Sequence, residues 1–220
     1  ITDYSKAITI DPNYVQAYSG RGSAYLALKQ YESASSDYSV LIKIDPNKKE
    51  YYESRGSAYL AFKQYDLAVT DYTKAITLDP NYVPAYSGRG SAYLALKQYD
   101  LAFAEYTKAI TIDSNCVLAY SGRGSAYLSL KQYDLAVTDY SKAITLDPNC
   151  ISAYSGRGSA YLSLEKYDLA VTDYSKAITL DSNCVSAYNG RGSAYLALKK
   201  YDLAIADYSK AITLDSNCAP

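Results

Sequence analysis

The chain reads as an all-α solenoid, a stack of repeated helical units, and three observations predict that class. One 34-residue phrase recurs six times along the 220 residues. Within each copy the apolar and aromatic residues fall at spacings of three, four and seven, the period of a helix with one buried face. No stretch alternates with period two as a half-buried strand would. A unit this short cannot enclose a core of its own, so it must bury its apolar face on its neighbours.

The copy Val117 to Cys150, VLAYSGRGSAYLSLKQYDLAVTDYSKAITLDPNC, serves as the reference. Val117, Tyr120, Tyr127, Leu128 and Leu130 mark a first helix, and Leu135, Ala136, Val137, Tyr140, Ala143, Ile144 and Leu146 mark a second. Lys131 and Gln132 form a tight polar turn between them. Pro148, following Asp147, stops the second helix and opens the turn into the next copy. Ser114, Ser182 and Ser216 stand in place of that proline elsewhere, which weakens the stop without removing the turn. Gly124 is expected to lie against Ala136, two small residues that let the paired backbones approach. Full copies occupy residues 15–48, 49–82, 83–116, 117–150, 151–184 and 185–218, and residues 1–14 read as the second helix of a partial copy. Beginning in mid-repeat and containing no methionine, the chain reads as a window of a longer protein.

Tyr120, Gly124, Tyr127, Ala136, Tyr140, Ala143 and Pro148, at these offsets in a 34-residue period, resemble the signature of the tetratricopeptide repeat family. The resemblance covers nearly the whole chain. It implies antiparallel helix pairs wound into a right-handed superhelix, and a non-enzymatic scaffold that holds a peptide or helix of another protein against the first helices. On this chain that concave face maps to Ser87, Gly88, Ser91 and Leu94, to Ser121, Gly122, Ser125 and Leu128, and to Ser155, Gly156, Ser159 and Leu162. Relatives that capture acidic chain termini carry lysine, asparagine and arginine on such positions. Ser121 and Ser125 stand there instead, so carboxylate capture is not expected.

Of 28 tyrosines, 25 fall at four repeat positions, as core aromatics do; a base-stacking stripe is the competing reading. All six arginines occupy one position, just before the signature glycine or its equivalent, and an acidic residue recurs sixteen positions later. Folding each copy about its turn levels Arg21 with Asp37, Arg55 with Asp71, Arg89 with Glu105, Arg123 with Asp139, Arg157 with Asp173 and Arg191 with Asp207. A repeated, partly buried ion pair that sets register is expected; a ladder of arginines reading carboxylates or phosphates is the alternative. Gly20, Gly88, Gly122, Gly156 and Gly190 sit in mid-helix, where glycine costs about 0.5–1 kcal/mol against alanine. They fit either close packing between neighbouring first helices or a backbone bound along the groove.

Several functions find no vehicle. With 22 basic and 23 acidic residues there is no global field for nucleic acid or an anionic membrane, and no apolar run approaches the ~20 residues of a spanning helix. Histidine is absent, and Gly-Arg-Gly lies inside a helix where it cannot cradle phosphate, so neither catalysis nor a cofactor is expected. Cys116, Cys150, Cys184 and Cys218 share one repeat position. Stacked units ~8–10 Å apart hold them beyond the ~7 Å reach of a disulfide and rule out a four-thiolate metal site. Unpaired thiols favour a reducing, cytoplasmic compartment. The partner is then another protein or peptide. A second class remains: the near-identical copies and the weakly charged second helices, with Thr138, Ser141 and Thr145, would also suit a self-assembling filament, which could lie outside the cell.

Overall fold

The structure, a computed structural model, describes residues 1–216. Thirteen α-helices and no strands occur among the described residues. The described residues form two compact units, 1–114 and 115–216. The first unit holds α1 (Thr2–Ile10), α2 (Val15–Ala27), α3 (Tyr31–Ile44), α4 (Lys49–Ala61), α5 (Tyr65–Leu78), α6 (Val83–Ala95) and α7 (Tyr99–Ile112). The second holds α8 (Val117–Ser129), α9 (Tyr133–Leu146), α10 (Ile151–Ser163), α11 (Tyr167–Leu180), α12 (Val185–Ala197) and α13 (Tyr201–Ser216).

Within each unit a helix packs on the one before and the one after it in sequence, and α4, α8 and α10 also touch α6, α10 and α12. This is an α-solenoid, in which burial is shared between adjacent copies. The core is made of alanine and tyrosine. Ala136, Tyr140 and Ala143 of α9 cluster with Ala153 and Ala160 of α10, and Ala170, Tyr174 and Ala177 of α11 with Ala187 and Ala194 of α12. Each cluster thus joins the second helix of one copy to the first helix of the next.

The helix ends explain the turns. Lys29, Lys63, Lys97, Lys131, Glu165 and Lys199 all adopt a positive φ near 60°. In the turn after α8, the Gln132 N–H reaches Tyr127 O at 2.8 Å and the Lys131 N–H reaches Leu128 O at 3.0 Å, a Schellman stop built without glycine. Second helices stop otherwise. Asp147 turns extended, and its Oδ1 accepts the Asn149 N–H at 2.9 Å. Asp181 does the same for Asn183 at 2.9 Å although Ser182 replaces proline, so the aspartate holds that turn unaided. At the third serine the expectation differs from the structure: α13 runs on through Asp215 to Ser216.

Candidate functional site

Every copy with a complete first helix centres on the four residues that read Gly-Arg-Gly-Ser, or Ser-Arg-Gly-Ser in α4. The two glycines serve two different second helices. A Cβ on Gly124 would stand 3.1 Å from the Tyr140 ring, within its own copy, while one on Gly156 would stand 2.2 Å from Tyr140 Cζ, in the copy before. Tyr140 is therefore sandwiched between two glycine backbones and is 2% exposed. Its hydroxyl lies 2.9 Å from Ser125 Oγ. The same sandwich holds Tyr72 between Gly56 and Gly88, and Tyr174 between Gly158 and Gly190.

Both expectations for these glycines change as a result. Gly124 faces the Tyr140 ring, where Ala136 was expected, because an aromatic ring fills the gap that two small residues would have closed. Gly88, Gly156 and Gly190 face a tyrosine of the preceding second helix, and neither a neighbouring first helix nor a bound backbone is needed to account for them.

The arginine between the glycines also spans two second helices. Arg157 Nε and Nη2 donate to Asp173 at 2.7 and 2.8 Å, while Nη1 donates to Ser141 Oγ, one copy back, at 3.0 Å. The Tyr154 and Tyr161 rings lie 5.8 Å from the guanidinium carbon. Arg21, Arg55 and Arg191 repeat the fork with Asp37, Asp71 and Asp207, and they add Ser5, Ser39 and Ser175. Arg89 uses Glu105 and Thr73, and Arg123 pairs with Asp139 at 2.7 Å. The hydrogen bond to the acid raises the Arg157 pKa and outweighs the opposing effect of burial. The Ser/Thr partner was missed in the sequence reading, although a hydroxyl two residues after each acid was its signal.

The predicted groove residues divide. Ser87 is 1% exposed and Ser121 6%, and Gly88 is buried, so these three do not present a surface. Small size at Ser121 lets the next first helix, α10, approach; Ser121 Oγ lies 3.3 Å from Ser152 Oγ. Ser91, Ser125 and Ser159 are half-buried, each bonding both a tyrosine hydroxyl and the carbonyl four residues back. Gly122, Ser155, Gly156, Leu94, Leu128 and Leu162 are half-buried. What the first helices expose is an adjacent set: Leu118, Ser152 and Ser186, with Ser129 and Ser163 further along.

One copy departs from this neutral pattern. Glu53 takes the place held by Ser87 and Ser121, and its Oε1 accepts the Ser57 hydroxyl at 3.0 Å. That hydroxyl also lies 3.1 Å from Tyr72 OH, so with an ionised Glu53 the tyrosine must donate to the serine. Burial pushes the Glu53 pKa up, and Glu50 adds to it. Nearby, Lys49 pairs with Asp79 and lies 4.7 Å from the Tyr82 ring centre; burial, reinforced by Glu53, pushes the Tyr82 hydroxyl up to about 12. Lys49, Glu50 and Glu53 escaped the sequence reading, though each is a charge at an otherwise neutral repeat position.

Cys116, Cys150 and Cys184 are half-buried thiols outside any disulfide, and Cys218 lies outside the described residues. Among the described residues no group of three His, Cys, Asp or Glu side chains could hold a metal ion, and no helix is long and apolar enough to cross a membrane.

Comparison with known proteins agrees with this architecture. The tetratricopeptide repeat profile matches residues 117–150 and 185–218, and a second profile, described as TPR repeat, matches residues 1–29, 56–97, 90–131 and 158–199. No curated protein sequence matches the chain. Among solved structures, MamA is 26% identical with a TM-score of 0.62, over 74% of this chain and 95% of its own. The Cut9–Hcn1 hetero-tetramer of APC/C superposes over 97% of this chain with a TM-score of 0.89 at 18% identity. This chain spans only 42% of that one. YrrB, described as a TPR protein with an unusual peptide-binding site, superposes over 82% of this chain and 93% of its own with a TM-score of 0.59 at 20% identity. With profiles matching more than half of its residues and the helix pairs, small-residue contacts and turns in place, the chain belongs to the tetratricopeptide repeat family.

Proposed function

We propose that the chain is a non-enzymatic scaffold whose six repeats, starting at Val15, Lys49, Val83, Val117, Ile151 and Val185, hold a peptide or helix of another protein along their first helices. One observation carries this reading. The arginines, buried tyrosines and acids that could have done chemistry are turned inward on one another, and the first helices are left exposing small and apolar side chains such as Leu118, at 57%. Such a strip recognises shape and apolar surface rather than charge. Because Ser87, Gly88 and Ser121 are buried, the contact set is proposed to shift to Leu118, Ser152 and Ser186. The half-buried Gly122, Ser125, Ser155, Gly156 and Ser159, with Leu128 and Leu162, form its floor in the second unit, and Ser91 and Leu94 hold the matching positions on α6 of the first. YrrB, whose description names a peptide-binding site, is a precedent for the activity on this fold.

Peptides selected from a display library against the full chain test the reading. Leu118→Glu, Ser152→Glu and Ser186→Glu together should abolish binding, and Leu135→Gln on a second helix should leave it intact. Binding that ignores the triple variant would refute the assignment.

A ladder of leucines favours self-assembly as the second reading. Leu135, Leu169 and Leu203 recur every 34 residues on second helices and are each 48% exposed. An apolar row of this kind suits lateral contact between copies. Sedimentation of the full chain against its triple Leu→Gln variant distinguishes the two. Association that the variant removes supports the filament, and a monomer at all concentrations excludes it.

A further inference from the structure

Two second helices of the second unit carry a surface stripe that is complementary to its own antiparallel copy. On α9 the stripe is Asp134, Thr138 and Lys142, and on α11 it is Asp168, Thr172 and Lys176, all exposed. Spacings of four place each threonine midway between its acid and its lysine, about 6 Å of helix from either. Leu135 and Leu169, each 48% exposed, stand beside the acids. Both helices pack on the first helix before them and the first helix after them, α8 and α10 for α9, α10 and α12 for α11. The stripe therefore lies on the face that a complete copy leaves free.

Neither the acids nor the lysines form an ion pair among the described residues; the ion pairs of this unit belong to Arg123, Arg157 and Arg191. Acid and lysine of one helix are about 12 Å apart along it, and the position four residues from each, where a pair could form, is threonine. The threonines are already satisfied. Thr138 donates to Asp134 O at 3.0 Å and Thr172 to Asp168 O at 2.9 Å. The middle of the stripe thus holds no unmet donor, and another protein surface can cover it at small desolvation cost.

We propose that this stripe joins two copies of the chain, α9 on the partner's α9 and α11 on the partner's α11, each pair antiparallel about a two-fold axis through the row of Thr138 and Thr172. Reversal of direction exchanges the two ends of the stripe, so Asp134 meets Lys142 of the partner subunit and Asp168 meets Lys176 of the partner subunit. Each lysine stem lies over the leucine next to that acid, which covers Leu135 and Leu169 with methylene surface. Charge complementarity under this one symmetry selects a second copy over an arbitrary apolar partner, and such an isologous contact closes at two copies. The inference rests on the reading of the leucine row as a contact between copies and supplies its register. It leaves the first helices free to hold a peptide.

The test combines sedimentation velocity of the full chain with disulfide trapping in a background where Cys116, Cys150, Cys184 and Cys218 are replaced by serine. A concentration-dependent equilibrium between monomer and dimer is expected. Asp134→Lys with Asp168→Lys sets lysine against lysine and should raise the dissociation constant at least tenfold; adding Lys142→Asp with Lys176→Asp should restore it at the native net charge. Asp134→Asn with Asp168→Asn, a milder change to the helices, should weaken association in the same direction. Thr138→Cys, on the axis, should trap the dimer under mild oxidation. Thr145→Cys should not, because seven residues from the axis places the two thiols about 21 Å apart along the helices, beyond the ~7 Å reach of a disulfide. Association indifferent to the charge reversal, or trapping at Thr145→Cys and not at Thr138→Cys, overturns this register and leaves the leucine row as a contact. Growth beyond two copies overturns the closed pair. A monomer at all concentrations overturns both the register and the self-assembly reading beneath it.

Discussion

Replacing Gly156 by alanine sets two effects of opposite sign against each other. Alanine in mid-helix gains about 0.5–1 kcal/mol over glycine. Against this, the new methyl carbon would stand 2.2 Å from Tyr140 Cζ and 2.5 Å from its oxygen. Non-bonded carbons rest at roughly 3.5–4.0 Å, so the ring would have to retreat by more than an ångström. It has nowhere to go: Gly124 backs its other face, with only 3.1 Å available to a Cβ there, and retreat would break the 2.9 Å contact to Ser125. Overpacking costs about 1–3 kcal/mol and the hydrogen bond about 0.5–1.5. The net expectation is a destabilisation of about 1–3 kcal/mol. Urea unfolding followed by far-ultraviolet circular dichroism measures it, with Gly124→Ala as the control. There the ring need give only a few tenths of an ångström, so the change should stay within about 1 kcal/mol of zero, the size of the propensity gain. A Tyr140→Ala background should erase most of the penalty at Gly156. Stabilisation by Gly156→Ala in the native background would refute the sandwich and return these glycines to a role in the groove.

Three further outcomes follow from the same geometry. Asp173→Asn strands a guanidinium that is 19% exposed and keeps Ser141 and two tyrosine rings, so a loss of about 3 kcal/mol is expected, near the low end for breaking a buried pair. A loss below about 1 kcal/mol in urea unfolding would mean that the pair contributes little to holding register. Lys131→Gly relieves a side chain held at φ 59° and should stabilise by about 0.5–1 kcal/mol, seen as a rise of a few degrees in Tm; a lower Tm would contradict the left-handed turn. Glu53 has a folded pKa raised by burial, so its linkage favours folding below the unfolded carboxylate pKa and this advantage is lost as pH rises through the folded value. Glu53→Gln should therefore raise the urea midpoint at pH 7 and change it little near pH 3.5, and an equal effect at both pH values would exclude ionisation as the cause.

How far the site was legible in the sequence depends on what sets each contact. The sixteen-residue interval between Arg157 and Asp173 is readable because two antiparallel helices of known rise, joined by a short turn, bring those positions level. Ser141 is also sixteen residues from Arg157, but on the other side, and its contact exists only once one copy is laid on the next. Small serines and glycines on a first helix read equally well as an open groove or a packed seam. Ser87 and Ser91 differ by one helical turn, yet one is 1% exposed and the other half-buried, because the neighbouring helices cover the two positions differently.

The chain alone thus determined that it is helical, that it repeats every 34 residues, where its turns fall and that it belongs to the tetratricopeptide repeat class. Those properties are local or periodic, arising from apolar spacing, Asp-Pro-Asn stops and the period itself. Tertiary structure decided which glycine receives which tyrosine, which hydroxyl completes each arginine, and which serines remain accessible. Those depend on van der Waals overlap between helices of successive copies, a quantity that periodicity does not encode.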